Sequence, residues 1–173
     1  MNLTDHCQLC DHQIVHYGEG TKCGITDRKP LFNKTCINIA LNEKFEQKLT
    51  KANVEFENVK RKRTIVYIYC ALFLIFGLFV IYGGFYLGNH ILDRGVISAV
   101  PLIIMAAGCA VMGTAIGPFN GYRNNLALAK SKKDSIDDVL MVYNIDYDIT
   151  IKFGKEIHGS QDYNSDLKVR GRK

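Results

Sequence analysis

Two stretches decide the reading of this chain: TIVYIYCALFLIFGLFVIYGGFYLGNHIL at residues 64–92 and GVISAVPLIIMAAGCAVMGTAIGPFNG at residues 95–121. Neither contains Asp, Glu, Lys or Arg, and only Asp93 and Arg94 lie between them. In a water-soluble domain apolar residues recur at a helix or strand period, so that one face stays polar; here they come as two blocks. At about 1.5 Å per residue, a helix made from either block can cross a hydrocarbon core of about 30 Å. The sequence therefore predicts a mainly α membrane protein whose centre, residues 64–118, is a two-helix transmembrane hairpin. The spans are predicted near 65–88 and 96–117, with a short external turn at 88–95, and the lipid bilayer is the first partner.

The charge left out of the blocks collects beside them. Lys60, Arg61, Lys62 and Arg63 precede the first, and Arg123, Lys130, Lys132 and Lys133 follow the second, in a chain of 173 residues with net charge +5. Basic residues next to spans stay cytoplasmic, so both termini are predicted inside, in a multi-pass topology. A basic run that abuts a span sets orientation and meets anionic headgroups, and no nucleic-acid partner is expected from it. Tyr67 and Tyr69 at one end of the first block, with Tyr82, Phe85 and Tyr86 at the other, suit the two interfaces.

The spans differ in bulk. The first carries Phe73, Phe76 and Phe79; the second carries Ala106, Ala107, Gly108, Ala110, Gly113 and Gly117. Folding at the external turn brings Gly77 to the depth of residues 106–108, where small residues allow close backbone approach. Gly84-x-x-x-Gly88 and Gly113-x-x-x-Gly117 fall at opposite depths and cannot pair within one subunit. Either they mark contacts with other subunits or they reflect the ordinary abundance of Gly in membrane helices.

Residues 41–63 are polar except for Leu41, Phe45, Leu49, Ala52, Phe56 and Val59, spaced as an amphipathic helical stripe. No Pro or Gly interrupts the run into the first span, which predicts one helix over 41–88. On the far side, residues 119–154 are predicted as a cytoplasmic helix followed by a short β-hairpin. Its strands would be 139–143 and 147–153, where Tyr147, Ile149, Ile151 and Phe153 alternate with polar residues across a turn at Asn144. Residues 155–173 are predicted to be a mobile tail.

The amino-terminal residues 1–40 hold four of the six cysteines and few large apolar residues, too little core to fold unaided. Cys7-x2-Cys10 is followed by Cys23 and Cys36, each after twelve intervening residues. The C-x2-C pair makes a knuckle whose backbone amides can point at sulfur, and Gly24 offers a permissive backbone for a second turn. Cys7, Cys10, Cys23 and Cys36 are accordingly candidate ligands of a structural zinc, a closed four-thiolate site without Lewis-acid chemistry. Unligated thiols and an iron–sulfur cluster are the competing readings, and His6, His12 or His16 could replace one cysteine. No apolar leader precedes this unit, so a reducing compartment without structural disulfides is expected. Cys70 and Cys109 read as small apolar residues within the spans.

The run Cys7-Gln-Leu-Cys10, Gly20-Thr-Lys-Cys23-Gly-Ile-Thr, Pro30-Leu-Phe32 and Cys36 resembles a zinc-ribbon-like four-cysteine element found at the amino terminus of small membrane proteins of Bacteroidota-type bacteria. The resemblance covers the first quarter of the chain and departs at Ile37-Asn38, where a more acidic stretch is expected. It implies the four ligand positions and a bacterial inner (cytoplasmic) membrane, and it implies no activity.

Catalytic motifs are missing from the sequence: there is no phosphate-cradling Gly-rich loop, nucleophile elbow, zincin helix or kinase set. Uncharged spans argue against a coupled transporter. His158, near Glu156, Gln161 and Asp162, falls in the predicted tail. What emerges is a non-enzymatic structural or interaction subunit of a membrane assembly, whose zinc unit docks partner proteins or sister subunits of a homo-oligomer. The alternative is an oligomeric pore-forming or membrane-disrupting effector, such as one acting in defence against phage, with Ser98 and Thr114 as its only polar span residues.

Overall fold

A computed structural model describes residues 3–18, 20–91, 99–157 and 160–171. The chain is mainly helical, with two long apolar helices and a C-terminal β-hairpin. It divides into two compact units, one formed by Met1–Glu57 with Leu128–Lys173 and the other by Asn58–Ala127.

The second unit contains α3 (Arg63–Tyr86), one π-helical turn (Leu87–Ile91), and the first part of α4 (Ala99–Val142). Half of the turn expected at 88–95 (residues 92–95) lies outside the described residues, as does the start of the second predicted span. The helices run antiparallel: Gly84 meets Pro101 and Met105, Gly77 meets Gly108 and Met112, and the Tyr67 ring stands edge-on to Phe119 and Tyr122 at 5.6 and 6.4 Å. A methyl group added at Gly77 would lie 2.9 Å from the Gly108 carbonyl oxygen, and one added at Gly108 would lie 2.8 Å from that of Gly77. The two backbones touch because neither residue has a Cβ. A Cβ added at Gly113 or Gly117 would meet no described atom within 4 Å beyond its own stretch of helix.

The helix expected over 41–88 runs from Glu43 to His90, with one tightened turn inside it. Helix α2 spans Glu43–Arg61, and Lys62 separates it from α3, its amide bonded three residues back to Val59 at 3.1 Å. This is a tightened turn of the 3₁₀ kind, which needs neither Pro nor Gly.

In the first unit α1 (Leu3–Leu9) leads into the hairpin of β1 (Gln13–His16) and β2 (Gly20–Cys23), and α2 follows. The predicted stripe of α2 faces inward: Phe45 and Leu49 are wholly buried, and with Leu9, Leu41, Val139, Leu140 and Ile145 they make the core. The predicted strand over 139–143 is helix instead. Ile136, Val139, Leu140 and Tyr143 recur at the 3.6-residue period on one face of α4 and pack on the core, whereas Met141 is exposed. Asn144, at φ 53°, ends α4 in a Schellman cap: its amide donates to the Met141 carbonyl at 3.2 Å, and the Ile145 amide donates to that of Leu140 at 3.0 Å.

The predicted mobile tail is largely strand. β3 (Asp146–Ile157) pairs antiparallel with β4 (Ser160–Arg170), aligning Asp146 with Arg170 and Phe153 with Tyr163, and the register shifts between Phe153 and Glu156. Leu167 and Val169 join Tyr147 against the core, which gives β4 the apolar anchor its composition hides. His158 lies outside the described residues.

Because Gly77 and Gly108 contact backbone, Gly77→Leu or Gly108→Leu should destabilise the helix pair by about 1–3 kcal/mol. Gly113→Leu should be nearly silent within one subunit. Denaturation of the protein in mixed micelles, followed by circular dichroism, checks the contrast.

Candidate metal centre

The thiols are brought together by three local devices. Cys7 lies in the last turn of α1, and the Cys10 amide reaches back to the Cys7 carbonyl at 3.1 Å, so the C-x2-C pair closes on itself. The β1–β2 ladder then sets Cys23 opposite Gln13, three residues beyond Cys10. Finally the segment before α2 folds back: the Ala40 amide points at the Cys10 sulfur at 3.4 Å, and the Asp11 amide donates to the Ala40 carbonyl at 2.9 Å. Cys36 arrives with that segment.

Amides aimed at sulfur occur mainly at the second turn. The backbone N–H groups of Ile25 and Thr26 hydrogen-bond the Cys23 sulfur and hold its thiol below the ordinary range. The turn's positive φ is at Asp27 (51°), and the expected role of Gly24 changes accordingly. Gly24 donates to the His12 carbonyl at 2.7 Å, and a Cβ there would sit 3.1 Å from that oxygen and from Ile14 Cδ1. Glycine is needed here for a close strand approach.

Cys7 and Cys10 are buried and Cys23 and Cys36 half-buried; none forms a disulfide. Burial, then the charges of Cys10, Cys36 and Cys23, push the Cys7 thiol up to about 11. All four line one cavity of about 20 Å³, with His6 and His12 on its wall. That volume suits a single water or ion. Among the described residues, however, no three His, Cys, Asp or Glu side chains are gathered tightly enough to hold a metal ion. The donor types and the cavity suit zinc.

His6 is committed elsewhere. It is buried, its Nδ1 stands 3.2 Å from the Tyr143 hydroxyl, and its ring meets Phe32 and Tyr143 edge-on. Tyr143, from the end of α4, is the residue the sequence reading missed. Its hydroxyl accepts the Cys36 amide at 2.8 Å, and burial pushes its pKa above the ordinary tyrosine range. Its place on the buried stripe with Val139 and Leu140 was the available signal. His16 stands on β1 and is exposed.

Two other polar groupings belong to this unit. Tyr147 donates to Asp137 at 2.7 Å and accepts from Lys133 at 2.6 Å, while Lys133 also bonds Asp137 at 2.7 Å, pinning β3 to α4. A groove of about 420 Å³ holds Lys48, Lys51 and Lys132 facing Asp5 and Glu55. Lys132 binds Glu55 at 2.8 Å and Lys48 donates to the Gln8 carbonyl at 2.6 Å, so much of its charge is already answered. Neither grouping pairs a nucleophile with a base.

The chain matches no protein-family model, no curated protein and no solved structure.

Replacing Tyr143 by Phe strips the Cys36 amide of its acceptor. A loss of about 1–3 kcal/mol is expected from the orphaned group, together with faster exchange of that amide in hydrogen–deuterium mass spectrometry. Unaltered exchange at Cys36 would show that the hydroxyl does not hold the segment.

Proposed function

We propose that this chain is a non-enzymatic integral membrane protein, a structural or interaction subunit of a membrane assembly in a bacterial cytoplasmic membrane. In this reading α3 and the apolar part of α4 cross the bilayer, both termini are cytoplasmic, and the first unit docks partner proteins or sister subunits. Cys7, Cys10, Cys23 and Cys36 close around a structural zinc.

One observation carries the membrane part. The most apolar windows of the two long helices are only 6% and 17% buried. A core helix in a soluble protein hides such a surface, whereas here Ile65, Ile75, Phe79, Tyr82 and Ile103 each expose more than half of theirs. At roughly 25 cal/mol per Å² of apolar surface, lipid is the medium that removes the cost. The zinc part is supported by four thiols around a cavity of ionic size. Binding there would release thiol protons, offset the raised proton affinity of Cys7, and supply the staple that a 40-residue segment of small core lacks.

The pore-forming alternative draws less support. Thr114, one of its two candidate lining residues, spends its hydroxyl on the Val111 carbonyl at 2.6 Å within its own helix.

Affinity purification of the full chain from native membranes, with metal analysis of the product, tests the proposal. The expected result is sedimentation with membranes after an alkaline carbonate wash, release only by detergent, and close to one zinc per chain. Cys10→Ser and Cys36→Ser should each lose the zinc and leave membrane retention intact. A chain that stays in the supernatant without detergent refutes the membrane reading, and a metal-free product with all four thiols reactive refutes the zinc.

A further inference from the structure

The outer edge of β3 is unpaired by any other described strand, because the C-terminal sheet has only two strands. That edge reads Tyr147-Asp148-Ile149-Thr150-Ile151-Lys152-Phe153, a sequence symmetric about Thr150 in size and antisymmetric in charge. On one face Ile149 mirrors Ile151 and the aromatic Tyr147 mirrors the aromatic Phe153. On the other, Asp148 mirrors Lys152, and all three polar residues are exposed.

We propose that β3 pairs antiparallel with β3 of a second copy of this chain, across a two-fold axis at Thr150, making a four-stranded sheet between subunits. The proposal rests on the reading of the chain as an assembly subunit and names the partner and the surface. Under this symmetry Asp148 of each copy lies opposite Lys152 of the other, Ile149 opposite Ile151, and Tyr147 opposite Phe153. Residues opposite one another across antiparallel strands have Cβ atoms about 4.5–5.5 Å apart, close enough for each pair to interact. A two-fold axis between residues, instead of on one, would set polar side chains against apolar ones along the whole strand.

The other edge matches less completely: an axis at Ser165 in β4 would set Asp162 against Lys168 and Tyr163 against Leu167, but Gln161 against Val169, and Lys168 already faces Asp148 and lies 3.8 Å from Asp166. A two-fold axis at Asp166 in β4 would set two aspartates against each other and Ser165 against Leu167. Within the hairpin Asp148 already faces Lys168, whereas Lys152 faces Asn164. Lys152 therefore has no directly opposed anion in its own hairpin and would gain one in the dimer. The regular ladder ends at Phe153, where the register shift begins, so the symmetric segment coincides with the regular part of the strand. A two-stranded hairpin is marginal in water, and doubling it supplies the strands it lacks.

Thr150→Cys in the full-length protein, oxidised mildly in native membranes, should yield a covalent dimer whose linkage maps by mass spectrometry to position 150 of both chains. Asp166→Cys, equally exposed on β4, should yield none above the parent chain. In the Thr150→Cys background, Asp148→Lys alone and Lys152→Asp alone should each weaken self-linkage by about tenfold. Co-expressed with different tags, those two charge-reversed chains should link to each other at the unreversed level, which also shows that both are folded. Absence of the 150–150 link, a preferred link at 166, or a mixture that links no better than its components would overturn the pairing. Such a failure in a chain that still sediments with membranes and still binds zinc leaves the membrane-subunit reading standing; a soluble chain sinks that reading instead.

Discussion

A helix of more than twenty residues without Asp, Glu, Lys or Arg presents apolar surface that is costly to leave in water, and this chain contains two such segments. Much of their surface is turned outward: large residues such as Phe76, Phe79 and Ile103 are exposed, and the mutual contact runs through small ones, Gly77, Gly84 and Gly108. That division follows from where energy is gained. Bulky side chains obtain as much from lipid as from a neighbouring helix, so helix association depends on close packing, which Gly permits and Phe prevents. A core-seeking sequence would do the opposite and send Phe inward, as α2 does with Phe45. The two units place phenylalanine differently, inward on α2 and outward on α3, which is the arrangement the proposed membrane reading requires.

The thiol cluster depends on a different kind of support. Its own segment supplies turns and a four-residue ladder, and little of its surface is apolar. It is tied to the rest of the first unit at two points: its Leu9 enters the core beside Leu41 and Phe45, and Tyr143 reaches from the end of α4 to the Cys36 amide. The Schellman cap at Asn144 has two consequences. It fixes the end of the helix that carries Tyr143, and it turns the chain so that Ile145 and Tyr147 return to the same core. The candidate metal ligands and the C-terminal hairpin thus share one set of buried side chains, although more than a hundred residues separate them.

Much of this was legible in the sequence because charge is informative by its absence. The two apolar helices announced themselves through missing Asp, Glu, Lys and Arg, the α2 stripe through Phe45 and Leu49, and the matched depth of Gly77 and Gly108 through simple counting. The C-terminal third was harder. Residues 139–143 are a short apolar run, and a window of that length does not separate period 2 from period 3.6. Only the longer frame, from Ile136 through Tyr143, reveals the helix. Strand β4 was hidden because Ser165 interrupts its apolar face and charged residues fill the other, so that it resembles a solvated tail until Leu167 and Val169 are seen against the core. The aromatic shell around Cys36 was beyond reach, since Tyr143 contacts it across 107 positions.

The C-terminal hairpin also carries charges beyond those that face one another across its two strands. Cross-strand charges at its base, Asp146 with Arg170 and Asp148 with Lys168, stand opposite one another and favour the register of β3 on β4. Beyond them the strand could carry any polar residue on its exposed face, and neutral ones would serve an isolated edge as well. An edge meant to stay single is usually protected by like charges or proline, which repel a copy of itself. Here the exposed face of β3 offers one anion and one cation at equal distances from Thr150, an arrangement in which self-repulsion is replaced by self-complementarity.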